Sequence, residues 1–169
     1  MIEGPSGAGK TAIAEALEQQ YGLKQIKSYT NRPRRSPDES SHVFLDEPDV
    51  ETIKKQYPRR VAETVFDGHF YFSTHDDVDV ADVYVISPEA VPLFKQNYTG
   101  KKRIKVVYVT VSEFLRRQRM LRRGDSADAV EQRIKHDQLA FSDAEADADI
   151  VVRNFVLSDS VGQIKAVLS

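Results

Sequence analysis

The stretch Gly4-Pro5-Ser6-Gly7-Ala8-Gly9-Lys10-Thr11 constrains this chain more than any other. It fills every fixed position of the pattern Gly, any four residues, Gly-Lys-Ser/Thr. Glycines at these places let the backbone curl so that successive N–H groups converge on one point, a concave anion site. A helix opening directly afterwards adds the positive end of its dipole to the same point. In such a loop Gly4, Ser6, Gly7, Ala8 and Gly9 form the cradle and Lys10 reaches the β- and γ-phosphates of a nucleoside triphosphate. The Thr11 hydroxyl holds magnesium. The flanks agree with this reading. Met1, Ile2 and Glu3 read as a strand end. Ala12 to Gln20 is rich in helix formers, with Ile13, Ala16, Leu17 and Gln20 on one stripe, and Gly22 is a natural stop. The alternative is a Gly-rich turn that merely precedes a helix, and both spacing and context favour the phosphate loop.

A chain of 169 residues suits one compact domain with room for a small inserted lobe, and 40% hydrophobic content is enough for a core. No apolar run approaches the length of a membrane span. A phosphate loop stands where a signal peptide would, which argues against export. The absence of cysteine excludes disulfides and thiolate metal sites and fits a cytoplasmic setting. A net charge of −2 gives no global field toward nucleic acid or membrane. No nucleic acid and no membrane is therefore expected as a partner; the phosphate loop points to small-molecule nucleotides, and a monomer or homodimer is the expected state.

Along the chain, Leu23 to Lys27 is a weak strand candidate and Asn31 to Ser41 a loop. Asp46 is expected to cap a helix over about Pro48 to Gln56. Val61 to Phe66 and Phe70 to Phe72 flank Asp67-Gly68, a two-residue hairpin signal. Val80 to Ile86 reads as a buried parallel strand and Ser87-Pro88 as the start of a helix to about Asn97. Ile104 to Val111 is the clearest strand. Ser112 caps a helix that Gly124 ends, and Asp125 or Ser126 opens another to about Leu139. A short strand at Ile150 to Val152 and a helix over Asp159 to Leu168 close the chain. Strands alternating with helices imply an α/β fold, a three-layer parallel sheet with helices on both faces, carrying a small β-rich lobe.

Two basic features lie outside the loop. Arg32, Arg34 and Arg35 sit beside Ser28 and Thr30, where guanidinium forks and hydroxyls can cage a phosphate; a solvated basic loop is the equal alternative. Arg116, Arg119 and Arg123 share one helix face at a cost of about 0.2–0.5 kcal/mol per like-charged pair. An anionic partner would remove that cost. A solvated face paired in part with Glu113 and Glu131 is the other reading, and nucleic-acid binding is weak without interleaved aromatics.

Taken in order, these segments resemble guanylate kinase, a nucleoside monophosphate kinase of the P-loop fold. Ser28-Tyr29-Thr30-Asn31-Arg32-Pro33-Arg34-Arg35 is similar to the family's Ser-x-Thr-Thr-Arg-x-x-Arg. The resemblance implies that Ser28 contacts the base and that Arg32 and Arg35 hold the acceptor's phosphate. Gly68 to Ser73 resembles Gly-Asn-x-Tyr-Gly-Thr, which implies Tyr71 on the acceptor phosphate and Ser73 on the guanine edge. Glu63 lies near the place of a guanine-pairing glutamate, one residue closer to the tyrosine than usual. Arg119-Met120-Leu121-Arg122-Arg123-Gly124 and Arg133-Ile134 resemble the two parts of the lid motif, so Arg119, Arg123 and Arg133 are expected to close over the transferring phosphate with Lys10. Asp149 to Asn154 resembles the family's late Asp-x-x-x-x-Asn strand and implies Asn154 beside the adenine site. The implied layout is a core over about residues 1–30 and 78–169, an acceptor lobe over about 31–77 and a lid over about 116–140.

The sequence also departs from that family. His42 stands for a phosphate-binding tyrosine, His69 and Phe72 replace Asn and Gly, and the acidic Asp-x-Asp appears as Val85-Ile86-Ser87, with Glu89 nearby. The implied activity is ATP-dependent phosphoryl transfer, with Mg2+, to GMP or dGMP. The alternatives are a kinase of another nucleoside monophosphate or sugar phosphate, and a catalytically weak binding module.

Overall fold

The computed structural model describes residues 1–34 and 36–168. From the N-terminus the elements are β1 (Ile2–Glu3), α1 (Lys10–Tyr21), β2 (Gln25–Ile26), β3 (Tyr29–Thr30), β4 (Val43–Phe44) and α2 (Val50–Gln56). A hairpin of β5 (Arg60–Phe66) and β6 (His69–Thr74) follows, then α3 (His75–Val80), β7 (Val83–Tyr84) and α4 (Ala90–Asn97). The last third holds β8 (Val107–Thr110), α5 (Glu113–Arg122), α6 (Ala127–Ala140), α7 (Ala144–Asp147), β9 (Ile150–Arg153) and α8 (Leu157–Leu168). The chain divides into two compact units: Met1–Leu23 with everything from Arg103 onward, and Lys24–Lys102.

The first unit is built on a parallel sheet in the order β1-β8-β9, with Ile2 opposite Val107 and Val109 opposite Val152. These β-branched residues are buried, as strands under helices require. Ile13 and Leu17 of α1 and Val161 and Ile164 of α8 are buried with them; α1 packs on α8, and α8 on β9. Met120, Val130 and Ile134 form a second cluster that joins α5 to α6.

The second unit holds a parallel pair, β2 with β7, and a mixed sheet in the order β4-β3-β6-β5. The hairpin turns where the sequence predicts. Asp67 and Gly68 take φ of 52° and 73°, the two left-handed positions of a primed turn. Register then decides which side chains share a face. Tyr29 lies opposite Phe72, and Ile53, Phe70 and Phe72 make a core against which Tyr29, Leu45, Val50 and Tyr57 pack. The Tyr29 and Phe72 rings stack at 4.9 Å and 12°. Phe72, where the resembled family carries glycine, is thus a core residue of this unit.

Three elements correct the sequence reading. Asp49, not Asp46, caps α2, accepting from the Thr52 N–H at 2.8 Å; Pro48 sits before the cap. The segment from Val80 is strand only at Val83–Tyr84, because Thr74 and Asp77 form a capping box that winds His75–Val80 into α3. The helix at Ser87-Pro88 starts later, at Ala90, after a turn in which the Ala90 N–H donates to the Ser87 carbonyl.

Phe72→Ala should cost about 3–5 kcal/mol in urea unfolding, the price of emptying a stacked aromatic core position. Val65→Ala, on the exposed end of the same hairpin, should stay within about 0.5 kcal/mol.

Candidate functional site

In the first unit the loop before α1 is curled as the motif predicts. Gly4, Gly7 and Gly9 all have positive φ, and Gly9 is the N-cap of α1 at φ 99°. A Cβ on Gly9 would lie 2.3 Å from Asn154 Nδ2, and one on Gly7 would lie 2.7 Å from the Arg116 carbonyl oxygen. Side chains at either place would collide with what holds the loop. No side-chain hydrogen bond caps α1 and no carboxylate lies in its first turn, so nothing on the helix itself competes with an anion there.

Lys10 turns inward, and its ammonium donates to the Gly4 and Pro5 carbonyls, the latter at 3.1 Å. Burial pulls its pKa down from 10.5 to about 8; Asp137 works the other way, while Arg116, Arg123 and Arg133 push it further down. Those groups mark a cation cluster around the lysine. Ser6 is gripped on all its polar groups: its N–H and hydroxyl donate to Asp137 at 2.8 and 3.4 Å, and its carbonyl accepts from Arg116 Nε at 2.9 Å. Arg116 and Asp137 pair with each other and are 8% and 5% exposed, so this ion pair is buried beside the loop.

The arginines of α5 divide by role. Glu113 and Glu131, expected as partners of Arg116, Arg119 and Arg123, are instead bonded by Arg117 on the outside, at 2.8 and 2.7 Å. Arg119 spans the Gly7 and Ala8 carbonyls, at 3.4 and 3.1 Å, and the Asn154 carbonyl at 2.8 Å. Asn154 is committed in the same way: its amide donates to the Ala8 carbonyl at 2.8 Å and its oxygen accepts from Ser160 at 3.0 Å. Both side chains brace the loop from behind. Arg123 pairs with Asp125, which also stands 4.0 Å from Arg133. Thr11 opens α1 with its side chain exposed. Among the described residues no group of three or more His, Asp or Glu could hold a metal.

In the second unit the hydroxyl-bearing face lies opposite the aromatic core. Tyr71 pairs with Thr30, and Thr30 with Phe44. Ser28 Oγ lies 2.9 Å from His42 Nδ1, and the His42 ring meets Tyr71 edge-on at 5.5 Å. Arg32 is 8% exposed and forks onto Glu39 at 2.6 and 3.3 Å, while its Nε is a buried donor without a partner. Ser73 is fully buried and its hydroxyl is likewise unpartnered. Burial pushes the Tyr84 phenol up to about 12, so it stays neutral. Arg35 lies outside the described residues.

No protein-family model matches the sequence. A curated relative, a cytidylate kinase of Desulfurococcus amylolyticus, is 28% identical over 98 residues, covering 52% of this chain. The chain spans about half the length of that relative, 53%. Among solved structures, a guanylate kinase from Anaplasma phagocytophilum superposes with a TM-score of 0.69 at 19% identity, over 99% of this chain and 83% of that one. This chain has the guanylate kinase fold. An uncharacterised protein from Eubacterium ventriosum superposes less closely, with a TM-score of 0.52 at 11% identity over 99% and 95% of the two chains.

On the guanylate kinase fold, Glu63 is not brought together with Tyr71 and Ser73. Ala62 lies opposite Ser73 and Thr64 opposite Tyr71, whereas Glu63 lies opposite Phe72 on the aromatic face. There it bonds Arg60 at 2.7 Å, and Arg60 in turn donates to the Lys54 carbonyl at the end of α2. The spacing one residue short of the family's was the signal: in a strand, one residue changes the face. Ser87, in place of the family's second acid, is a buried hydroxyl without a partner. Asp137 escaped the sequence reading. It falls on the buried stripe of Val130 and Ile134 at helical spacing, and an acid in such a stripe is the signal that finds it.

Lys10 should make nucleotide binding pH-dependent. Below about 8 it is charged; above, it must take up a proton to meet a phosphate. Affinity for MgATP should therefore hold steady from neutrality to about pH 8 and then fall, by up to about tenfold per unit. Titration calorimetry near pH 9 in buffers of different ionisation heat should detect the proton uptake; an affinity flat through pH 9.5 would contradict it.

Proposed function

We propose that this chain transfers the γ-phosphoryl group of ATP to a nucleoside monophosphate. The observation that carries the reading is the convergence, within one unit, of a phosphate loop, an inward Lys10 and the Arg123–Asp125–Arg133 cluster. Phosphoryl transfer needs little covalent chemistry from a protein. It needs the acceptor oxygen in line with phosphorus and cations where charge spreads over the transferring oxygens. In this reading Lys10 bridges the β- and γ-phosphates, while Arg123 and Arg133 exchange Asp125 for the transferring group. Bound magnesium neutralises charge on the phosphate oxygens, and Thr11 supplies it one ligand.

Arg32, Arg35, His42 and Tyr71 hold the acceptor's phosphate in this reading, and Ser28 and Ser73 meet its base. The unpartnered Arg32 Nε and Ser73 hydroxyl are donors that such a ligand would satisfy. GMP or dGMP is the acceptor that the sequence resemblance implies. A second reading, another nucleoside monophosphate or a sugar phosphate, is favoured by Glu63, whose carboxylate faces the aromatic core and leaves the Tyr71 face without it. The cytidylate kinase likeness points the same way. Among the described residues no helix is long and apolar enough to cross a membrane. The reading carries with it a monomer or homodimer acting on small nucleotides in the cytoplasm.

A coupled assay with ATP, Mg2+ and each nucleoside monophosphate tests it. Lys10→Ala should lower turnover by at least about 100-fold; equal MgATP binding and transfer without Lys10 would sink its assignment, and MgATP binding by the wild type with no transfer to any monophosphate would leave a binding module. Arg32→Ala should raise KM for the acceptor about 10–100-fold, the worth of a charged hydrogen bond, with KM for ATP nearly unchanged. Arg123→Ala should act mainly on kcat.

A further inference from the structure

The buried carboxylate of Asp137 adds nothing to the apolar packing of its helix. Val130 and Ile134 precede it on the same stripe, and an apolar residue there would bury as well without desolvating a charge. Its hydrogen bonds run to Ser6 of the phosphate loop and to Arg116. Nor does the loop need it for its own curl. Arg119 and Asn154 hold the Gly7 and Ala8 carbonyls, and Lys10 holds those of Gly4 and Pro5. What Asp137 adds is a link from the loop to α6.

That link reaches the arginines. Arg133 stands one turn before Asp137, four residues back on the same face, about 6 Å along the axis. Asp125 joins Arg133 to Arg123, which caps the end of α5. Arg116 sits two turns earlier on α5 and closes the ring by pairing with Asp137. The charged groups that act on Lys10 are thus Arg116 from α5, Arg123 from its cap, and Arg133 and Asp137 from α6, with Asp125 joining Arg123 and Arg133.

We propose that Asp137 is a positioning residue for phosphoryl transfer: it ties the phosphate loop at Ser6 to the helix bearing Arg133, and so sets where Arg133 and Arg123 stand relative to Lys10. This rests on the phosphoryl-transfer reading of the same site. The carboxylate touches no reacting atom. It acts through α6, and the pair with Arg116 keeps the two helices in step.

A double-mutant cycle tests the coupling. Asp137→Asn keeps the shape and loses the charge, and should lower kcat about 10–100-fold with a smaller change in KM for ATP. Arg133→Ala should do the same. If Asp137 acts through Arg133, adding Asp137→Asn to Arg133→Ala should cost less than about threefold more. Full multiplication of the two effects, or a kcat within about twofold of wild type for Asp137→Asn, would overturn the proposal. Arg116→Lys, run through the same cycle, guards against misfolding of one variant; loss of folding by both would show the pair to be purely structural and also overturn it. The cycle is read in parallel on the dissociation constant of MgATP. Non-additive binding with no transfer to any monophosphate would sink the phosphoryl-transfer reading alone. Additive effects on both readouts, or no MgATP binding by the wild type, would sink the positioning role.

Discussion

A backbone that curls its N–H groups inward must turn its carbonyls outward, and each of those needs a donor. The loop from Gly4 to Gly9 meets that demand completely. Lys10 serves Gly4 and Pro5, Arg116 serves Ser6, Arg119 serves Gly7 and Ala8, Asn154 serves Ala8 again, and the Ile13 N–H serves Gly9. Donors separated by more than 100 residues of sequence thus fix one turn of main chain. The shape of this loop is a tertiary property, held only while α5, α1 and the residues after β9 stay where they are.

The same demand fixes two of the arginines that share a face of α5. Arg119 and Arg116 are neutralised by carbonyl dipoles and by Asp137, which removes the repulsion their spacing would cause. At the end of α5 and on α6 the cations turn instead to a carboxylate: Arg123 pairs with Asp125, which also stands near Arg133. The second unit shows the same economy: Arg32 is charged and buried because Glu39 and the Phe44 ring, 5.2 Å away, receive it.

The fold was legible wherever a local rule is strong. The phosphate loop, the Asp67-Gly68 turn, the strand around Val109 and the Ser126 cap all follow from residue type and spacing. Failures cluster where tertiary contacts decide. The strands Tyr29–Thr30 and Val43–Phe44 are two residues long: the first exists through pairing with β6, the second through pairing with the first. Asp46 and Asp49 are both plausible caps, and only the one whose carboxylate reaches Thr52 is used. Residue types pointed to Lys10 in the first unit and to Ser28 and Tyr71 in the second, but not to their partners: that Ser28 meets His42, or that Asn154 spends its amide on Ala8, is invisible without coordinates. The His42 substitution is accommodated by a hydroxyl and an aromatic edge already present.

The hairpin's register carries an evolutionary consequence. Because the turn at Asp67-Gly68 anchors the pairing, exchanging Glu63 for another side chain alters only the aromatic side and its grip on Arg60. Inserting a single residue between Glu63 and the turn would instead carry the carboxylate across the sheet, opposite Ser73, and the irregularity between Arg60 and Ala62 already shows this strand absorbing such an offset. In this hairpin a change of length, rather than a point substitution, is what moves an acid from one face to the other.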